Sequence, residues 1–189
     1  MTDTPAARLA AFLDELEGAR RGREVTLVVV TKLHPASLVR ELAEAGHRHF
    51  GESRHPESRD KAAELEGLGL TWHFVGQLQR KKARQVARYA HVLHSIDSDE
   101  LVEALEGGEP GDERPVRDAL VQINLTDDPD RGGVAPARLD ALAERVRAID
   151  PGADWISAGM SGDWREALDH GATHLRIGTA ITGNRATGL

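Results

Sequence analysis

The sequence contains no cysteine among its 189 residues. That excludes a disulfide framework, thiolate catalysis and zinc held by cysteines, and it fits a reducing compartment. An excess of positive charge is also missing: the formal net charge is -7 and the isoelectric point about 5.7. General binding to nucleic acid or to anionic membranes relies on positive charge, so neither is expected. No apolar run approaches the length needed to cross a bilayer. Met1-Thr2-Asp3-Thr4-Pro5 has no basic segment leading into an apolar one, so no signal peptide is expected. The nucleotide-binding glycine patterns G-x-G-x-x-G and G-x-x-x-x-G-K-S/T do not occur. These absences lead us to expect a soluble cytoplasmic protein, with residues 1–189 forming a single domain.

What is present alternates. Residues 6–20 read as a helix with Leu9, Phe12, Leu13 and Leu16 on one face. Val25-Thr26-Leu27-Val28-Val29-Val30 is apolar on both faces and rich in β-branched residues, the pattern of a strand buried in a parallel sheet. A helix follows Pro35 and stops at Gly46. The same unit then recurs. Strands are expected at residues 49–52, 72–76, 91–96, 119–124, 155–158 and 173–177. The intervening helices run to about 65, around 82–89, from about 98, around 136–148 and over 163–170. Residues 107–115 and 126–133 are rich in Gly, Pro and charge and read as loops. Strands alternating with helices imply right-handed crossovers and a parallel sheet. With nucleotide-binding motifs absent, a TIM-like (β/α) barrel is preferred over an open doubly wound sheet. A standard barrel has eight strands and the sequence supplies seven.

In a β/α barrel the active site lies where strands end, and phosphate groups bind at the loops after the last two strands. Gly159-Met160-Ser161-Gly162 follows the sixth expected strand and opens a helix, offering free N–H groups and the Ser161 hydroxyl. Gly178-Thr179 follows the seventh. Taken singly, Ser161 is a helix cap and Gly178 a turn; their shared position makes them candidates for an anion site. Lys32 ends the most buried strand, where a partly desolvated amine is available for a Schiff base; the plainer alternative is a solvated lysine at a strand end. Arg176 lies in the apolar stretch His174-Leu175-Arg176-Ile177, where a charge needs a partner. His47 and His49 share a strand face but are poor evidence for a metal. Arg80, Lys81, Lys82, Arg84 and Arg88 form a basic run, read as a solvated face or, in a competing reading, an RNA- or protein-interaction surface. Glu52 and Asp97 end strands two and four and are acid or base candidates without a partner fixed by spacing.

Several motifs in order carry a resemblance: Val30-Thr31-Lys32, His49-Phe50-Gly51-Glu52, Trp72-His73-Phe74-Val75-Gly76-Gln77-Leu78-Gln79, His94-Ser95-Ile96-Asp97, Gln122-Ile123-Asn124, Gly159-Met160-Ser161-Gly162-Asp163 and Arg176-Ile177-Gly178-Thr179-Ala180-Ile181. With these, the chain resembles the pyridoxal phosphate homeostasis protein family, single-domain relatives of the alanine racemase N-terminal barrel. The resemblance implies that Lys32 forms a Schiff base with pyridoxal 5'-phosphate (PLP) and that Ser161, Gly178 and Thr179 hold its phosphate. It places Arg176 at the pyridine nitrogen, with His73 and Met160 lining the site. It implies a role in intracellular homeostasis and delivery of the cofactor, to PLP-dependent apoenzymes, with no catalytic residue and no metal. The runner-up is a PLP-dependent amino-acid racemase. Racemases add a tyrosine from another domain as second base, whereas the only tyrosine here is Tyr89.

The chain departs from the family pattern at Ser53 for an asparagine, Ala158 for a methionine, Thr182 for a phenylalanine and Lys81 for an asparagine. A larger departure is the loss of one β/α unit between Ile149 and Asp154. The gap is expected to leave strand edges unpaired, in a monomer or in a dimer whose second copy fills it.

Overall fold

The computed structural model describes residues 3–106, 116, 118–123 and 154–183. It divides into two compact units, Met1–His73 with Ile156–Leu189, and Phe74–Trp155.

The first unit begins with α1 (Pro5–Arg20). Thr4 caps it by accepting a hydrogen bond from the Ala7 N–H at 3.1 Å, and Pro5 sits where its missing N–H costs nothing. Then follow β1 (Thr26–Val30), α2 (Ala36–Glu44), β2 (His49–Glu52), α3 (Glu57–Glu64) and β3 (Thr71–Phe74), whose last residue belongs to the second unit. The neighbouring strands β3, β2, β1 and β6 (His174–Ile177) lie in that order. β1 pairs in parallel with β2, Val29 opposite Phe50, and with β6, Val29 opposite Ile177. Val28 and Val29 are fully buried, the result expected of a strand apolar on both faces. Because β1 and β6 run parallel in this register, Val30-Thr31-Lys32 and Gly178-Thr179 leave the sheet at the same end of two adjacent strands.

Leu9, Phe12 and Leu16 of α1 are buried, but Leu13 is 41% exposed, so the apolar face is narrower than the spacing suggests. Phe12 packs on Trp164 of α6 (Trp164–Asp169), ring centroids 5.0 Å apart. The final element, α7 (Thr179–Thr182), is tied to α1 by the Arg8 Nε–H donating to the Ile181 carbonyl at 2.8 Å.

The second unit contains a 3-10 turn (Arg80–Lys82), α4 (Ala83–Ala87), β4 (Val92–Ile96), α5 (Asp99–Glu106) and β5 (Asp118–Val121). β4 and β5 pair in parallel, Leu93 opposite Ala119. Phe74, Leu78, Val86, Leu93, Ile96 and Leu101 form its core.

The strand expected at residues 155–158 is not formed. Only an isolated parallel bridge joins Ser157 to His174. The segment does run beside β6: the Ala158 N–H donates to the His174 carbonyl at 3.1 Å, and the Arg176 N–H to the Gly159 carbonyl at 2.9 Å. Trp155 and Ile156 are nearly half exposed, and Gly159 turns the chain with φ +89°, so regular pairing stops after one bridge. The loops expected at 107–115 and 126–133, the helix at 136–148 and residues 149–153 of the shortened junction lie outside the described residues.

Candidate functional site

Two loops meet at the end of the β1–β6 pair. The first, after Ser157, is Gly159-Met160-Ser161-Gly162-Asp163. Its turn is closed by the Met160 N–H donating to Asp163 Oδ1 at 2.6 Å. The second is Gly178-Thr179 at the start of α7. They touch through Ser161: the Thr179 Oγ1–H donates to Ser161 Oγ at 3.4 Å and the Ala180 N–H donates to it at 3.3 Å. Both bonds are longer than a well-formed hydrogen bond. The meeting point therefore collects two hydroxyls and a backbone N–H that hold one another loosely. That donor set suits an anion with several oxygens.

Gly178 brings this point close to β1. A Cβ on Gly178 would lie 3.8 Å from the Val30 carbonyl oxygen. Two residues past Val30, Lys32 is half-buried in the turn that follows β1. The structure thus assembles Lys32, Ser161, Gly178 and Thr179 at one end of one strand pair.

Gly159 is required where it stands. A Cβ there would come within 2.9 Å of both Ala167 Cβ and Leu175 Cδ2, at a φ of +89° that side chains rarely adopt. Gly159→Ala is expected to cost about 2–4 kcal/mol from left-handed strain and overpacking together. A thermal melt measures this, and an unchanged melting temperature would contradict the placement.

Arg176 finds its partners in the same segment. Its Nη1 donates to the Ser157 carbonyl at 2.8 Å and to Ser157 Oγ at 2.6 Å. Burial lowers its pKa from the usual arginine value, and the Asp163 carboxylate works against that. Met160 is 56% exposed. His73 is buried, 3.0 Å from His49 Nδ1 through its Nε2, and 6.3 Å from the His174 ring centroid to centroid. His47 is joined to His49 through the backbone, its Nε2–H donating to the His49 carbonyl at 2.8 Å. Among the described residues no group of three His, Asp or Glu is arranged to hold a metal ion.

Beside Lys32 lies a charged cluster that the spacing of the sequence does not announce. Lys61 Nζ is 2.6 Å from Glu52 Oε1, with both side chains buried. Lys61 sits in α3, a helix polar enough to pass for a solvated one. The signal available was indirect. A helix must bury some face, and at the i, i+3 positions α3 buries Ser58 and Lys61, with Leu65 following just past its end.

The basic run behaves differently from the site. Arg80, Lys81 and Arg84, with Gln79, Glu103 and Ala104, line an open groove of about 810 Å³ within the second unit. The Arg84 Nε–H donates to the Ala104 carbonyl at 3.1 Å.

Comparison with known proteins identifies the family and the fold. The family model of the alanine racemase N-terminal domain matches residues 7–156. The pyridoxal phosphate homeostasis protein of Escherichia coli is 34% identical over a 226-position alignment covering 95% of this chain and 96% of that protein. That alignment is longer than the 189-residue chain, so the relative carries residues inside the matched span that this chain lacks. The structure of PipY from Synechococcus elongatus with PLP bound superposes with a TM-score of 0.78 at 32% identity, covering 95% of this chain and 100% of that one. Alanine racemase from Oenococcus oeni shares the fold at 14% identity, with a TM-score of 0.58 over 96% of this chain but 62% of its own. On the matched span, the shared fold and the identity along nearly the whole chain, this protein is a member of the pyridoxal phosphate homeostasis protein family, built on the alanine racemase N-terminal-domain fold.

Proposed function

We propose that the chain binds PLP through a Schiff base at Lys32 and serves the homeostasis of that cofactor, passing it to PLP-dependent apoenzymes rather than catalysing a reaction of its own. The observation that carries this reading is the convergence of the Ser161 and Gly178-Thr179 loops beside the strand end that delivers Lys32. The donor chemistry fits the group. Two hydroxyls and a backbone N–H would meet a doubly charged phosphate, and Lys32 follows the neighbouring strand end. When bound, the cofactor supplies an aldehyde that an amine captures reversibly.

Lys32 supplies the amine. Ser161, Thr179 and the backbone at Gly178 orient the phosphate, while Met160 and His73 line the site. Arg176 is held by Ser157; as a cation at the pyridine nitrogen it would keep that nitrogen unprotonated and weaken the ring as an electron sink. A weak electron sink suits a carrier.

Racemisation needs a second base opposite the lysine. Tyr89, the only tyrosine, packs on the core of the second unit. The matched racemase extends well beyond the part this chain covers.

Titration with PLP, followed by the absorbance of the protein-bound imine, tests the reading. Lys32→Ala is expected to abolish the imine band. Ser161→Ala with Thr179→Val is expected to weaken binding roughly 10-fold or more, the effect of losing hydrogen bonds to a charged group. An imine band of parental size in Lys32→Ala, or rapid alanine racemisation by the loaded protein, would overturn it.

A further inference from the structure

The buried pair Glu52–Lys61 is poorly explained as a stabilising device. Its side chains are 3% and 6% exposed. Taking two ions out of water offsets most of their attraction, so apolar side chains of the same volume commonly hold a fold as well or better. Glu52 Oε2 is buried without a hydrogen-bond partner among the described residues, which adds to the cost. Burial pushes the Glu52 carboxyl pKa up, against the Lys61 and Thr31 hydrogen bonds that pull it down.

What the pair holds is a single residue. The Thr31 Oγ1–H donates to Glu52 Oε1 at 2.8 Å, and Lys61 Nζ donates to the Thr31 carbonyl at 3.1 Å. The Thr31 N–H donates to the Gly51 carbonyl at 2.9 Å, and the Thr31 carbonyl also accepts from the His34 N–H at 3.0 Å. Every polar atom of Thr31 is therefore engaged, and the next residue is Lys32. The turn beyond contains Leu33 at φ 66°, a left-handed conformation that a side chain with a Cβ adopts only when its surroundings enforce it. An apolar pair would fill the same space but would offer no donor to the Thr31 carbonyl and no acceptor to its hydroxyl.

We propose that Glu52 and Lys61 are positioning residues for Lys32: they clamp Thr31 and so fix the direction in which the Lys32 amine leaves the end of β1. This rests on the reading of Lys32 as the PLP-binding amine. It predicts that charge at positions 52 and 61 serves placement rather than stability.

The test is the double variant Glu52→Leu/Lys61→Met, which removes both charges together. Its melting temperature is expected to stay within a few degrees of the parent's, the lost Thr31 hydroxyl bond being offset by the removal of two buried charges. Formation of the PLP adduct at Lys32 is expected to slow about 10-fold or more, as for a reacting group that has lost its orientation. A second readout uses no cofactor: in the PLP-free protein, acetic anhydride labels lysines, and mass spectrometry compares Lys32 with Lys81 and Lys82. The Lys32 rate is expected to shift several-fold while the other two stay unchanged. A folded double variant with parental adduct formation and parental labelling overturns the proposal. If Lys32→Ala binds PLP as the parent does, the reading of Lys32 fails, and the labelling ratio still decides whether the clamp exists. Should the double variant not fold, Thr31→Val and Thr31→Ser decide. Valine is expected to slow adduct formation about 3-fold through the lost hydroxyl bond and serine to restore it; equal rates in the two overturn the proposal.

Discussion

Lys61→Met alone is expected to destabilise the protein by about 3–5 kcal/mol, because it leaves the buried Glu52 carboxylate without its counter-charge, held by the Thr31 hydroxyl alone. For a chain of this size that is roughly a 10 °C fall in melting temperature. The cost has a pH signature. With Lys61 gone, burial is the main influence left on Glu52, and it raises the carboxyl pKa. A group whose folded pKa is raised contributes stability that is present below its unfolded value and lost as pH rises through the folded value. The gap between variant and parent should therefore be widest at neutral pH and should narrow in acid. Urea unfolding of both proteins at matched pH values measures it. A gap that is constant with pH would mean that the introduced methionine merely packs badly. The contrast with the double variant, which leaves no stranded charge, separates the worth of the pair from the harm of breaking it.

The second large effect is loss of stability in acid. Burial lowers the pKa of His47 and of His174 to about 4 each, and it also lowers that of His49. An unfolded histidine titrates near 6.5. In the folded protein these rings stay neutral, so between pH 6.5 and 4 the unfolded chain binds more protons, and stability falls with pH across that window. Each of His47 and His174 then accounts for about 3 kcal/mol by pH 4, enough in combination to threaten a fold of ordinary stability. Above pH 6.5 the contribution is fully present. Denaturant unfolding at pH 7.5, 5.5 and 4.5 tests this, with His174→Gln expected to flatten the dependence. A parent whose stability is level from 7.5 to 4.5 would contradict the burial of these rings.

Much of this could be read in the chain because burial on both faces leaves a plain mark. Val25-Thr26-Leu27-Val28-Val29-Val30 and His91-Val92-Leu93-His94-Ser95-Ile96 announce β1 and β4, and both lie within one residue of the expected bounds. Ser161 and Thr179 were legible as loop residues after consecutive strand expectations, and the structure brings them into contact. The segment 155–158 was not legible as irregular. Its composition is that of a strand, but strand character is completed by neighbours, and among the described residues only β6 pairs with it, at one bridge. Lys61 was harder still. Nothing in a polar helix reveals that a lysine on it reaches a carboxylate nine positions earlier, because the contact is made by the packing of α3 and by no local rule. The same holds for Arg176. Its need for a partner was readable from an apolar strand, whereas the partner, Ser157, is supplied by a segment that the sequence reads as a regular strand.

Lys32 is proposed above as the amine that captures PLP. The chain has four lysines, Lys32, Lys61, Lys81 and Lys82, so the claim can be tested by location as well as by extent. The protein would be loaded with PLP, reduced with borohydride to make the bond permanent, digested, and the modified lysine identified by mass spectrometry. One phosphopyridoxyl group per chain is expected, on Lys32, and none at that position in Lys32→Ala. A label shared between the exposed Lys81 and the half-buried Lys82 of the basic run, with Lys32 unmodified, would contradict the claim and would move the function to the second unit.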